Sequence, residues 1–163
     1  MKKGFTMIEL IFVIVILGVL ASVAIPRLAA TRDDAEVAKA ATNLTTAVSD
    51  LTAYYTAKGH FKSGSASTAT KITDFTKLTN ALSKDGKLNV KGKITCVEVQ
   101  LPDQANTASG KVELTLQFKP SADAVCKQLV KLPGIKTMCG KGENSSLSGD
   151  CKIQIGGSGG IQF

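Results

Sequence analysis

Apolar and polar positions along the chain fall into three regimes. Phe5 to Ile25 is apolar at almost every position, and the one charge inside the run is Glu9. A helix over those 21 residues covers roughly 30 Å, about the hydrocarbon thickness of a bilayer. After Pro26 the pattern changes. Val37, Ala41, Leu44, Val48, Leu51 and Tyr55 recur at spacings of four and three, one apolar stripe of a helix, while Thr42, Thr46, Ser49 and Asp50 hold the other face. Gly59 ends the segment. The two halves predict a single helix of about 50 residues, its second half packed on the chain's own domain. Its first half has no domain to cover it, which implies a membrane or neighbouring subunits. Arg27, Arg32, Asp33, Asp34, Glu36 and Lys39 form a mixed-charge collar between the two halves.

The third regime is short and alternating. Residues 60 to 92 are poor in aliphatics, with a surface loop over Ser63 to Thr70 and a short helix marked by Phe75, Leu78 and Leu82 and ended by Gly86. Lys93 to Leu101 (KITCVEVQL) turns Val97, Val99 and Leu101 to one side. Lys111 to Phe118 alternates more cleanly, with Val112, Leu114, Leu116 and Phe118 inward. The polar connection Pro102 to Gly110 predicts an antiparallel pair. Ser121 then caps a helical stretch carrying Val125, Leu129 and Leu132, stopped by Pro133-Gly134, and Lys152 to Ile155 adds a strand. The fold class expected is α+β: a long N-terminal helix, its second half on a small antiparallel β-sheet.

The apolar opening admits three readings. Ser22-Val23-Ala24 is a small-x-small sequence suited to signal peptidase, and cutting after Ala24 would release a soluble periplasmic binding module. An ordinary membrane anchor is the second reading, burdened by a carboxylate costing about 2 kcal/mol or more away from the interface. The third takes account of the string Lys2-Lys3-Gly4-Phe5-Thr6-Met7-Ile8-Glu9, which resembles the leader and cleavage site of type IV prepilins and pseudopilins. That resemblance implies cutting after Gly4, N-methylation of Phe5 by the same peptidase, and the type IV pilin fold. It makes Glu9 the fifth mature residue, the assembly glutamate. Paired with the amino group of Phe5 on a neighbouring subunit in low dielectric, it would penalise every wrong register of an otherwise greasy filament core. Gly18 and Pro26 bound the stretch expected to kink or melt, since proline removes a helix hydrogen bond.

On this reading residues 1–4 are the leader, 5–25 the transmembrane and filament-core segment, and 26–58 the half helix packed on the head. Residues 59–92 form the variable loop with its short helix, and 93–163 the sheet and disulfide-bonded C-terminal region. The resemblance implies a structural subunit of a type IV pilus-like filament. Before assembly it would be a single-pass inner-membrane protein with its N-terminus in the cytoplasm, and afterwards a periplasmic or extracellular homo-oligomer. The prepilin peptidase, an inner-membrane assembly platform and the lipid bilayer are the implied partners. A major pseudopilin of a type II secretion or DNA-uptake system is the alternative within the family.

Composition adds and removes chemistry. Twenty basic and thirteen acidic residues give +7, or +5 without Lys2 and Lys3. Nucleic acid is a partner consistent with that charge, with the lysines of residues 84–93 as its candidate cluster. His60 is the single histidine, there is no C-x-x-C pair, and neither a Gly-rich phosphate loop nor a paired-carboxylate motif occurs. No catalytic residue, cofactor or metal is therefore assigned. Glu143, Asn144, Ser146 and Asp150 offer oxygens for calcium, which the resembled major pseudopilins bind near their C-termini, but at no recognisable motif spacing. Cys96, Cys126, Cys139 and Cys151 read as disulfides of an oxidising compartment. Four cysteines permit three pairings. The pairing expected is Cys139 with Cys151, closing a Gly- and Ser-rich loop that has almost no core, and then Cys96 with Cys126. Many type IV pilins close a C-terminal loop by a disulfide.

Overall fold

A computed structural model describes residues 4–64, 70–102, 111–142 and 144–157. Outside it fall Lys2 and Lys3, most of the 63–70 loop, nearly all of the connection after Pro102, Glu143 and the glycine-rich end. Two units divide the chain, Met1–Ala35 and Glu36–Phe163. One element, helix α1 (Met7–Lys58), contributes to both. In the first unit every described residue from Gly4 to Leu28 is exposed, so local hydrogen bonding and propensity hold the helix and tertiary packing does not.

Within the second unit the stripe on α1 finds its cover. Val37, Leu44 and Leu51 are buried, and Ala40 and Ala47 join them where the helix backbone comes close to its neighbours. Against them lies a four-stranded antiparallel sheet. Its strands are β3 (Lys87–Val90), β4 (Ile94–Gln100), β5 (Val112–Phe118) and β6 (Gly149–Gly156), in the order β3-β4-β5-β6. Register places Leu88, Val97 and Phe118 in one row and Val99, Leu116 and Cys151 in the next, all buried. The alternate row, Lys87, Glu98, Gln117 and Asp150, belongs to the polar face. Two very short strands, β1 (Lys62–Ser63) and β2 (Thr70–Lys71), pair beside the end of α1 in sequence. Tyr54 and Tyr55 both meet the ring of Phe61, at 5.9 and 5.6 Å between centroids.

The α+β architecture expected from the periodicities is the one observed. Three local features differ from expectation. The sheet opens at Lys87, inside the stretch assigned to the loop, because Leu88 and Val90 alternate with Lys87 and Asn89 just as a strand requires. The helix marked by Phe75, Leu78 and Leu82 is one 3-10 turn, Phe75–Lys77; all three apolar residues are buried, but side chains hold the segment rather than a helical ladder. Asp74 caps that turn through the Thr76 amide, and Thr79 takes the amide of Ala81. Finally, Asp123 and not Ser121 caps α2 (Ala124–Leu129), and Pro133 opens a further helix, α3 (Pro133–Met138), instead of stopping the chain. Proline fits a first helical position because no amide is needed there.

Two disulfides fasten this α2–α3 segment. Cys126 of α2 is joined to Cys96 of β4, and Cys139 at the end of α3 to Cys151 of β6, with Cα separations of 5.0 and 5.4 Å. Both lie in the ordinary range for such bonds.

Candidate functional site

The N-terminal segment is built from its first residues upward. Gly4, Phe5 and Thr6 precede the helix, and Met7 opens it. Thr6 stands at the cap, and its backbone N–H donates to Glu9 Oε2 at 2.9 Å while its hydroxyl donates to the same oxygen at 2.7 Å. Thr6-Met7-Ile8-Glu9 thus has the spacing of a capping box, with the carboxylate reaching back over the first turn. This partner of Glu9 was missed in the sequence, although Thr-x-x-Glu just before an apolar run is its signature. Glu9 remains exposed, among side chains that are themselves exposed and apolar.

All sixteen large apolar side chains exposed among the described residues lie between Phe5 and Leu28. Phe5 is 87 % exposed and Ile8 75 %. Covering each such side chain is worth about 1.5–3 kcal/mol, so this surface is strongly driven to leave water. The helix is long and apolar enough to cross a membrane. Gly18 and Pro26 both sit inside the continuous helix. Near them the Ser22 hydroxyl donates to the Val19 carbonyl at 2.7 Å, one of several such side-chain bonds along α1. Of the collar, Arg27, Arg32 and Asp34 are exposed, while Glu36 accepts the Lys91 amide at 3.4 Å.

Elsewhere the polar groups are structural. Lys119 Nζ lies 3.0 Å from Glu98 Oε2, and its hydrogen bond holds the Glu98 carboxyl below the ordinary value. The Val125 amide lowers Asp123 in the same way, helped by Lys91 Nζ at 3.1 Å. Thr76 does so for Asp74. His60 accepts the Lys62 amide through Nδ1. Among the described residues no three His, Cys, Asp or Glu side chains come together as metal ligands. Of the candidate calcium oxygens, Asn144, Ser146 and Asp150 are exposed, and Glu143 lies outside the described residues.

Three of the four lysines of residues 84–93 stand beside an acid. Lys84 is close enough to Asp74 to lower its pKa, Lys87 sits opposite Glu98 across the sheet, and Lys91 is paired with Asp123.

Residues 1–25 match the family described as the prokaryotic N-terminal methylation motif, the prepilin motif of type IV pilins and pseudopilins. It marks structural subunits and not an enzyme family. Neither a curated protein nor a solved structure matches the chain.

Proposed function

We propose that this chain is a structural subunit of a type IV pilus-like filament. It is inserted in the inner membrane as a prepilin with its N-terminus in the cytoplasm, cut after Gly4, methylated at Phe5, and polymerised through the first half of α1. The observation that carries this reading is that, among the described residues, every large exposed apolar side chain lies between Phe5 and Leu28, in and just beyond the matched methylation motif, in a run interrupted by one carboxylate. A membrane covers that surface first, and the equivalent helices of other subunits cover it after assembly. Glu9 then meets the Phe5 amine of a neighbour in low dielectric, where only one register satisfies both charges.

Intact-mass analysis of the protein from its native cells tests the processing. Loss of four residues with gain of one methyl group is expected; loss of 24 residues would instead identify a secreted module. For assembly, Glu9→Ala should still insert and fold, while filament yield falls about tenfold or more. Wild-type yield from that variant would overturn the registry role.

A further inference from the structure

The four-stranded sheet has two outer edges, and they are finished differently. At β3 the Ser83 amide donates to the Lys87 carbonyl at 2.9 Å and the Ser83 hydroxyl accepts the Lys87 amide at 3.1 Å, so the preceding turn covers the start of that strand. The other edge, β6, is eight residues long, and among the described residues none of its backbone groups has a backbone partner outside β5. Its last four residues, Ile153 to Gly156, carry neither charge nor proline, two common guards of an exposed edge. Ile153 and Ile155 are half-buried against the core, while Lys152 and Gln154 are exposed. The chain then bends at once. Gly157 has a φ of +94°, which glycine adopts readily, and the Gln154 side-chain amide reaches the Gly156 and Gly157 carbonyls at 3.4 and 3.5 Å.

We propose that the segment Ile161-Gln162-Phe163 docks on this edge as a further antiparallel strand, a strap that closes the sheet. The chain reads Ile153-Gln154-Ile155, then Gly156-Gly157-Ser158-Gly159-Gly160, then Ile161-Gln162-Phe163. Two runs of the same pattern separated by five glycine and serine residues are the signature of a hairpin. Folding about Ser158 sets Ile161 opposite Ile155, Gln162 opposite Gln154 and Phe163 opposite Ile153. Side chains alternate along a strand, so Ile161 and Phe163 fall on the core side, over the half-buried isoleucines, and Gln162 joins Gln154 on the polar side. A slip of one residue would turn Gln162 inward and both apolar side chains to water, so the pattern selects one register. The occupant is the same chain because a five-residue loop closes at small entropic cost, whereas a strand of another copy must first be brought to the edge. An open β6 would template pairing between the sheets of different copies, and the strap leaves association to other surfaces. The inference concerns the second unit alone and stands whether or not the chain forms a filament.

The test is nuclear magnetic resonance of the full-length mature protein in zwitterionic detergent, with micelles in excess over chains. Cross-strand Overhauser contacts are expected between Ile155 and Ile161 and between Ile153 and Phe163, and their absence would overturn the proposal without any variant. Hydrogen exchange supplies the second readout. The β6 amides not bonded to β5 should exchange at least about tenfold more slowly than in an unpaired peptide. A variant carrying Ile161→Asp and Phe163→Asp places carboxylates on the core side and should release those amides about tenfold or more, with β4 and β5 amides unchanged. Gln162→Thr alters the polar side only and should keep protection within about twofold. Retained protection in the aspartate variant, or equal loss in both variants, would overturn the strap. So would contacts and protection that fade on tenfold dilution at constant micelle concentration, which would assign the added strand to a second copy.

Discussion

Thr79 is polar and only 4 % exposed, and its hydroxyl donates to Asp50 Oδ2 on α1 at 2.7 Å while accepting the Ala81 amide. One side chain therefore ties the 72–82 segment to the long helix in a place where water cannot substitute. Thr79→Val keeps the shape and removes both bonds, so it should lower unfolding free energy by about 1–2 kcal/mol, measured by denaturant titration. Gly86 is constrained differently. Its φ of +72° favours glycine, and a Cβ there would come within 2.6 Å of the Phe75 ring. The sequence reads Gly86 as the end of a helix, but the 3-10 turn closes at Lys77, and Gly86 ends a separate turn, its amide donating to the Ser83 carbonyl at 2.9 Å just before β3. That outcome depends on Asp74 and Thr79 bonding to nearby backbone and to Asp50, choices set by tertiary position. Glu98 carries the pH dependence at this scale. Its folded pKa lies below the ordinary 4.5 through Lys119, so its contribution is present above that value and lost as pH falls through the lower one. Acid titration of thermal stability should show a fall beginning near pH 5, shallower in Glu98→Gln.

Among the elements, periodicity was a good guide wherever one face is buried and the other wet. The stripe from Val37 to Tyr55 and the alternate residues Leu114, Leu116 and Phe118 face the core as the pattern requires, while Val112, expected inward with them, is half-buried outside the core cluster, where the pairing with β6 shifts register. Strand β3 was harder to read because it has four residues and two flanking glycines, so its two apolar positions look like scattered loop residues. The α2–α3 pair was hidden for another reason. Pro133-Gly134 reads as a terminator, yet a proline with Leu132 extended before it starts a helix as readily as it ends one. The disulfides then matter to elements more than to residues. Each joins a helix of only six residues, far too short to persist alone, to a strand of the sheet. Replacing Cys139 and Cys151 together by alanine should cost about 3 kcal/mol in the chain-entropy account. Calorimetry checks that loss, and hydrogen exchange of the variant should show the amides of α3 exchanging before those of the sheet.

At the scale of the whole molecule, two units meet solvent in opposite ways. Among the described residues the second hides its large apolar side chains and exposes lysine, threonine and glutamine; the first exposes only apolar residues and glycine from Leu10 to Ala21, about three turns. That contrast was legible in the sequence because it is compositional and needs no knowledge of contacts. The outward side of α2 and α3 was not, since residues spread over nineteen positions share a surface only once the apolar residues between them turn inward. Pro26 gives the first unit one more property. The carbonyl of Ser22, four residues earlier, has no amide to receive from it, and in oil an unmet carbonyl is expensive. On the proposed membrane-inserted reading this favours a depth at which Ser22 lies near the headgroups, which would leave Arg27 and Arg32 on the polar side of that boundary.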